Sequence, residues 1–117
     1  MPTDLTAFYD GWRADRGRIN REAPDLGRGF ATFYQSVMKD GALTLAEKEL
    51  IATAISVAMR CEPCIYLHTR GCLKAGATHE EVLEAAAVAT MMQGGPAFVY
   101  VPAVMAALDS QTQKKPD

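Results

Sequence analysis

Residues 44–76 read TLAEKELIATAISVAMRCEPCIYLHTRGCLKAG, and this stretch decides the fold. Thr44 and Glu47 have the spacing of a capping box: the threonine hydroxyl accepts the N–H of residue 47, and the glutamate reaches back to the N–H of residue 44. A helix from Leu45 to about Arg60 is expected to follow. Its apolar face carries Leu50, Ile51, Ala54, Ile55 and Ala58, and a separate polar stripe runs Glu49, Thr53, Ser56, Arg60 toward Cys61. Pro63 cannot continue that helix, because its ring would meet the carbonyl of Met59. A break near Cys61-Glu62 and a new helix from about Pro63 to Lys74, stopped by Gly76, is the expected result.

The same reasoning extends outward in both directions. Thr78 and Glu81 repeat the capping box and open a helix packed through Val82, Leu83, Ala86, Val88, Ala89, Met91 and Met92, with Gly94-Gly95 ending it. Pro96 starts AFVYVPAVMAALD, where Pro102 marks a kink or restart. FVYVPAV, rich in β-branched residues, is the one stretch that could also be a short strand. The tail QTQKKPD is polar and expected to be loose. Upstream, Leu5, Phe8, Tyr9 and Trp12 line one face of a helix from Leu5 to about Arg16. GRINREAPDLG then reads as a loop, although Pro24 is suited to open a second helix. In that helix Leu26, Phe30, Phe33, Tyr34, Val37 and Met38 form a stripe expected to pack in the core, as far as Asp40-Gly41. The fold class is therefore all-α, with five or six helices.

Composition bounds the function. The chain has 117 residues, 49% of them apolar and 22% charged, with a formal charge of −2. This fits one domain spanning 1–117. No basic run suggests nucleic acid as a partner. No apolar run is long enough to span a bilayer, and MPTDLTAFYDGWRADRGR lacks the order of a signal peptide, so a cytoplasmic location is expected. Three cysteines do not make a secreted disulfide framework. In a reducing compartment a Cys-x-x-Cys pair points to redox chemistry or metal binding.

Four side chains carry the chemistry: Glu49, Cys61, Cys64 and His68. A thiol attacks only after losing its proton, and the start of a helix favours the anion through its unpaired N–H groups. A spacing of three brings two sulfurs within bonding reach around one turn. His68 lies one turn beyond Cys64 on the same face and can carry the thiol proton. Glu49 is the best-placed carboxylate to orient that imidazole, provided the two helices pack as a hairpin. Zinc is the rival reading, with Cys61, Cys64, His68 and Cys72 as potential ligands. Cys64 and Cys72, however, are eight residues apart on one helix, which is about 12 Å at the helical rise. One tetrahedral ion cannot hold both, so no metal or other cofactor is assigned, and Cys72 reads as a small buried apolar side chain. Which cysteine attacks is left open by this reading: Cys61 is nearer the helix start, and Cys64 is adjacent to His68.

Together these residues spell E-x11-C-x2-C-x3-H, which resembles the signature of the alkyl hydroperoxidase D-like branch of the carboxymuconolactone decarboxylase superfamily. The resemblance covers about residues 26–108, including LTLAEKELIATAISVAMRCEPCIYLH and KAGATHEEVLEAA. It implies an all-helical fold assembled as a homotrimer or homohexamer. It also implies peroxidase chemistry in which the Cys61–Cys64 pair cycles through a disulfide reset by an external thiol donor. At these positions the resemblance makes Cys64 the attacking thiolate and Cys61 the resolving thiol, with His68 and Glu49 as the proton relay. One position departs. The best-known peroxidase members carry a histidine just before the second cysteine, where this chain has Pro63, so one possible proton carrier is absent. Glu62 adds a negative charge beside the dithiol that opposes thiolate formation. The competing expectations are a lactone decarboxylase, which would not need the dithiol, and a non-catalytic redox-sensing or metal-binding module.

Overall fold

A computed structural model describes residues 4–112; residues 1–3 and 113–117, which include most of the polar tail, lie outside the described residues. The described chain is helical throughout, without a strand. It forms α1 (Thr6–Glu22), α2 (Pro24–Met38), α3 (Leu45–Ala58), α4 (Glu62–Lys74), α5 (His79–Gln93), the single turn α6 (Gly95–Phe98) and α7 (Val101–Thr112).

The local signals act as their chemistry requires. Thr44 and Thr78 each close a capping box with Glu47 and Glu81. Pro24, Pro63, Pro96 and Pro102 all fall in the first turns of helices, where no intrahelical N–H is lost. FVYVPAV is a turn and the start of α7 rather than a strand. Gly76 ends α4 in the left-handed region at φ 99°, with the N–H of Ala77 on the carbonyl of Cys72. Helix α3 ends in the same way, with the N–H of Cys61 on the carbonyl of Ser56 and that of Arg60 on Val57. Here the left-handed residue is Arg60 at φ 57°, not a glycine. That turn delivers Cys61 to the start of α4.

Helix α4 is central, packed between α3 and α7, and α5 packs on α3 and also reaches α7. Val57, Ile65, Cys72, Val82 and Val104 form the solvent-free centre. Helix α1 docks on it through the Tyr9 hydroxyl, which donates to the carbonyl of Tyr66 at 2.8 Å. The N–H of Leu5 on Ser110 Oγ ties the start of α1 to α7.

Four expectations are corrected. On α5 the packing surface is Val82, Ala86 and Ala89, whereas Val88, Met91 and Met92 point outward and are 56%, 71% and 74% exposed, because α3 and α7 cover only one face of that helix. The loop expected over GRINREAPDLG is helix up to Glu22, and only Ala23 separates α1 from α2. One glycine, Gly17, costs about 1 kcal/mol in a helix, too little to break a segment that also carries the Arg18–Glu22 pair one turn apart. The apolar stripe of α2 is not core: Leu26, Phe30 and Phe33 are 65%, 62% and 64% exposed. Helix α2 meets α1 at their junction, where Gly27 packs on Asn20, and is tied to α3 near its C-terminal end by Lys48, so among the described residues nothing covers its outer face. The radius of gyration, 14.8 Å, exceeds the roughly 13 Å expected for a compact chain of this length. On α3 the polarity is inverted. Glu49, Thr53 and Ser56 are buried, whereas Ile51 and Ile55 are exposed, because each buried polar group finds a partner on α3 itself or on α4.

Candidate functional site

Cys61 is the N-cap residue of α4, and its sulfur accepts the backbone N–H of Cys64 at 3.3 Å. A sulfur there faces the unpaired N–H groups of the first turn, which stabilise a thiolate. Cys64 is the third residue of the helix, and the two cysteines are joined as a disulfide with their Cα atoms 5.2 Å apart. Both are half-buried, whereas Glu62 and Pro63 between them are exposed. The Glu62 carboxylate accepts the hydroxyl of Tyr66 one turn along α4. Burial, then Glu62, pushes the Tyr66 phenol up to about 12, so it stays a donor and directs that acidic group along the helix.

His68 lies on the same face of α4 as Cys64, one turn later. Its Nδ1 is 2.7 Å from Glu49 Oε1, with the histidine side chain 23% exposed and the glutamate 9%. An ionised carboxylate can only accept, so Nδ1 carries the hydrogen, and in the neutral imidazole Nε2 then keeps its lone pair. The hairpin of α3 and α4 thus joins all four residues singled out from the sequence.

Two further residues shape this pair, and the sequence reading assigned neither to the site. Gly71, one turn beyond His68, is where the Glu49 carboxylate packs onto α4: a Cβ at that position would lie 1.9 Å from Glu49 Oε2 and 2.6 Å from its Cδ. The available signal was a glycine in the middle of a helix, which is costly unless something needs the space. Tyr34 comes from α2, with its ring stacked on His68 at 6.3 Å between centroids and 20° between planes. It was hidden in a stripe read as core.

Cys72 stands apart. It is fully buried, with its sulfur 3.2 Å from Thr53 Oγ1. Burial pushes its thiol up to about 11, so it is inert at neutral pH. Among the described residues no three His, Cys, Asp or Glu side chains are grouped to hold a metal ion, and no helix is long and apolar enough to cross a membrane. Two open clefts flank the site. One, of about 430 Å³, is lined by Tyr34, Met38, Leu45, Glu49 and Gly71 among others. The other, of about 420 Å³, runs along Phe8, Gly11 and Trp12 to Pro63.

A helical fold with this hairpin at its centre is that of the carboxymuconolactone decarboxylase family. The family's sequence model matches residues 24–109, and the chain belongs to that family. It is 32% identical to an uncharacterised protein of Cupriavidus necator, over 94% of this chain and 97% of that protein. It is 34% identical to an uncharacterised protein of the cox locus of Paracoccus denitrificans, over 80% and 84%. Among solved structures it resembles the apo form of a carboxymuconolactone decarboxylase family protein from Legionella pneumophila, with TM-score 0.82 and 36% identity over 88% of this chain and 93% of that one. A Thermotoga maritima member, described as a candidate for involvement in an antioxidative response, gives TM-score 0.73 and 25% identity over 91% and 87%.

Proposed function

We propose that this chain is a thiol-dependent peroxidase that reduces small organic hydroperoxides through the Cys61–Cys64 dithiol. The observation that carries this reading is a disulfide at the start of α4 one turn from an imidazole held at 2.7 Å by a buried carboxylate. The Cys64 thiolate attacks the distal peroxide oxygen. An S–O bond forms, the O–O bond breaks, and the departing alkoxide takes a proton from His68 to leave as an alcohol. The Cys64 sulfenic acid then condenses with the Cys61 thiolate: the S–S bond forms, the S–O bond breaks, and hydroxide leaves as water with a proton returned through His68. One hydroperoxide and two thiols become one alcohol, one water and one disulfide. An external dithiol donor reduces the disulfide by exchange. Glu49 stabilises the imidazolium that forms while His68 holds the thiol proton. The aromatic wall of Phe8 and Trp12 beside Pro63 suits the apolar part of an organic hydroperoxide. A reducing cytoplasm fits a dithiol that must be reset at each turnover.

The test is thiol titration of the reduced protein during consumption of a small organic hydroperoxide. Two thiols are expected to disappear per peroxide and to return with a dithiol reductant, while Cys72 is titrated only after unfolding. Peroxide that leaves both accessible thiols untouched would refute the peroxidase reading.

We extend the proposal to a homotrimer or homohexamer. The support is the uncovered apolar face of α2, together with Ile55 and Met59 of α3, each more than half exposed. Exposed large apolar side chains grouped on a helix face mark an interaction site. Sedimentation velocity at micromolar concentration is expected to show an oligomer, and a monomer would reject the extension.

A further inference from the structure

Helix α2 has no buried residue, yet it supplies one half-buried ring to the site. Two contacts fix where that ring lies. Lys48, the neighbour of Glu49 on α3, donates from Nζ to the carbonyls of Val37 and Lys39 at 2.7 Å each, gripping the C-terminal end of α2. Four residues back from Met38, Tyr34 lies parallel on His68 at an offset-stacking distance. Burial first, and then the charge of Glu49, raise the Tyr34 phenol above its ordinary range, as expected for a ring over the carboxylate–imidazole pair. Tyr34 also lines the open cleft that reaches Glu49. At the edge of that cleft its ring covers one face of the His68 imidazole.

We propose that Tyr34 is a positioning residue for the relay: its ring, delivered by α2, covers the Glu49–His68 pair and holds the imidazole with Nδ1–H on Glu49 and Nε2 toward the dithiol. The inference rests on the redox reading above for its consequence, but its geometry does not depend on turnover. Without the ring, water competes for Glu49 Oε1 and the imidazole turns about its bond to Cβ, so the tautomer is no longer fixed. The aromatic face, not the hydroxyl, does the covering. Tyr34→Phe should therefore behave as wild type, and Tyr34→Ala should not.

The experiment is long-range proton–nitrogen NMR of the histidine rings, at a pH where imidazole is neutral, beside the peroxide-dependent rate of thiol loss. His79, exposed at the start of α5, is the internal reference for a ring in water. Wild type and Tyr34→Phe are expected to show His68 as the Nδ1–H tautomer alone. Tyr34→Ala is expected to lose that signature toward the pattern of His79 and to slow thiol oxidation roughly tenfold, a part of what a positioned proton carrier contributes. Tyr34→Leu, which keeps apolar volume without a π face, gives the same reading if the alanine protein fails to fold. Lys48→Met, which frees the end of α2, should move the signature in the same direction. An unchanged signature in Tyr34→Ala and Tyr34→Leu would overturn the proposal, and so would an equal loss in Tyr34→Phe. Failure of wild type to oxidise with peroxide would remove the peroxidase reading and leave the nitrogen signature to decide the role of Tyr34.

Discussion

In Cys64→Ser protein, a small organic hydroperoxide is expected to leave Cys61 as a thiol, with turnover abolished. In Cys61→Ser, one equivalent of peroxide is expected to be consumed and to stop at a sulfenic acid on Cys64, detected by a carbon-acid trap and mass spectrometry. The asymmetry follows from position. Cys64 shares a helix face with His68, so the proton acceptor and donor lie beside the attacking sulfur. Cys61, at the N-cap, has a backbone N–H to hold its anion until the sulfenic acid is available. Serine keeps the size and the N-cap function but is not oxidised by peroxide, so helix α4 should form in both variants. A sulfenic acid trapped on Cys61 in the Cys64→Ser protein would reverse the two roles. Full turnover in either variant would sink the dithiol mechanism.

Gly71→Ala is expected to disable the relay while leaving the fold nearly as stable as wild type. The added methyl would sit 1.9 Å from Glu49 Oε2, so the carboxylate must leave its place. That carboxylate is the end of a flexible side chain, and alanine contributes up to about 1 kcal/mol of helix propensity over glycine. The melting temperature should therefore move by only a few degrees, of order 1 kcal/mol in either direction. Displacing the carboxylate breaks the 2.7 Å bond to His68, and the imidazolium loses its partner. Turnover is expected to fall by roughly 100-fold, the lower end of what a positioned acid–base group contributes. Glu49→Gln should fall by a similar factor, and the double variant by little more than either single one, because both act on one interaction. Wild-type turnover in Gly71→Ala would show that the Glu49–His68 contact is dispensable.

The elements were legible where the chain carries local instructions. Capping boxes at Thr44 and Thr78, prolines in first turns and glycines at φ 99° and 75° set helix ends through contacts within a few residues. The dithiol, and the place of His68 one turn beyond it, were legible for the same reason: a spacing of three and then four on one helix fixes neighbours without reference to anything else. Glu49 was reached only by assuming that α3 and α4 form a hairpin. Its pairing with His68 spans 19 residues and belongs to the packing. Periodicity failed on α2 and α3 because it reports that a face is apolar, not what that face meets. Leu26, Phe30 and Phe33 of the α2 stripe are left uncovered by the described residues, whereas the polar stripe on α3 is buried because α4 supplies matching groups at His68 and Cys72.

By itself, then, the sequence determined an all-helical chain and the placing of two cysteines at the start of one helix with a histidine one turn beyond them, since those depend on short-range steric and hydrogen-bonding rules. Only the tertiary structure decided that Glu49 closes on His68 through the gap at Gly71, that Tyr34 reaches from α2 to stack on His68, and that Cys72 is withdrawn beside Thr53. Those relations depend on which faces of separate helices come together, and that is set by packing across the whole chain rather than by any local run of residues.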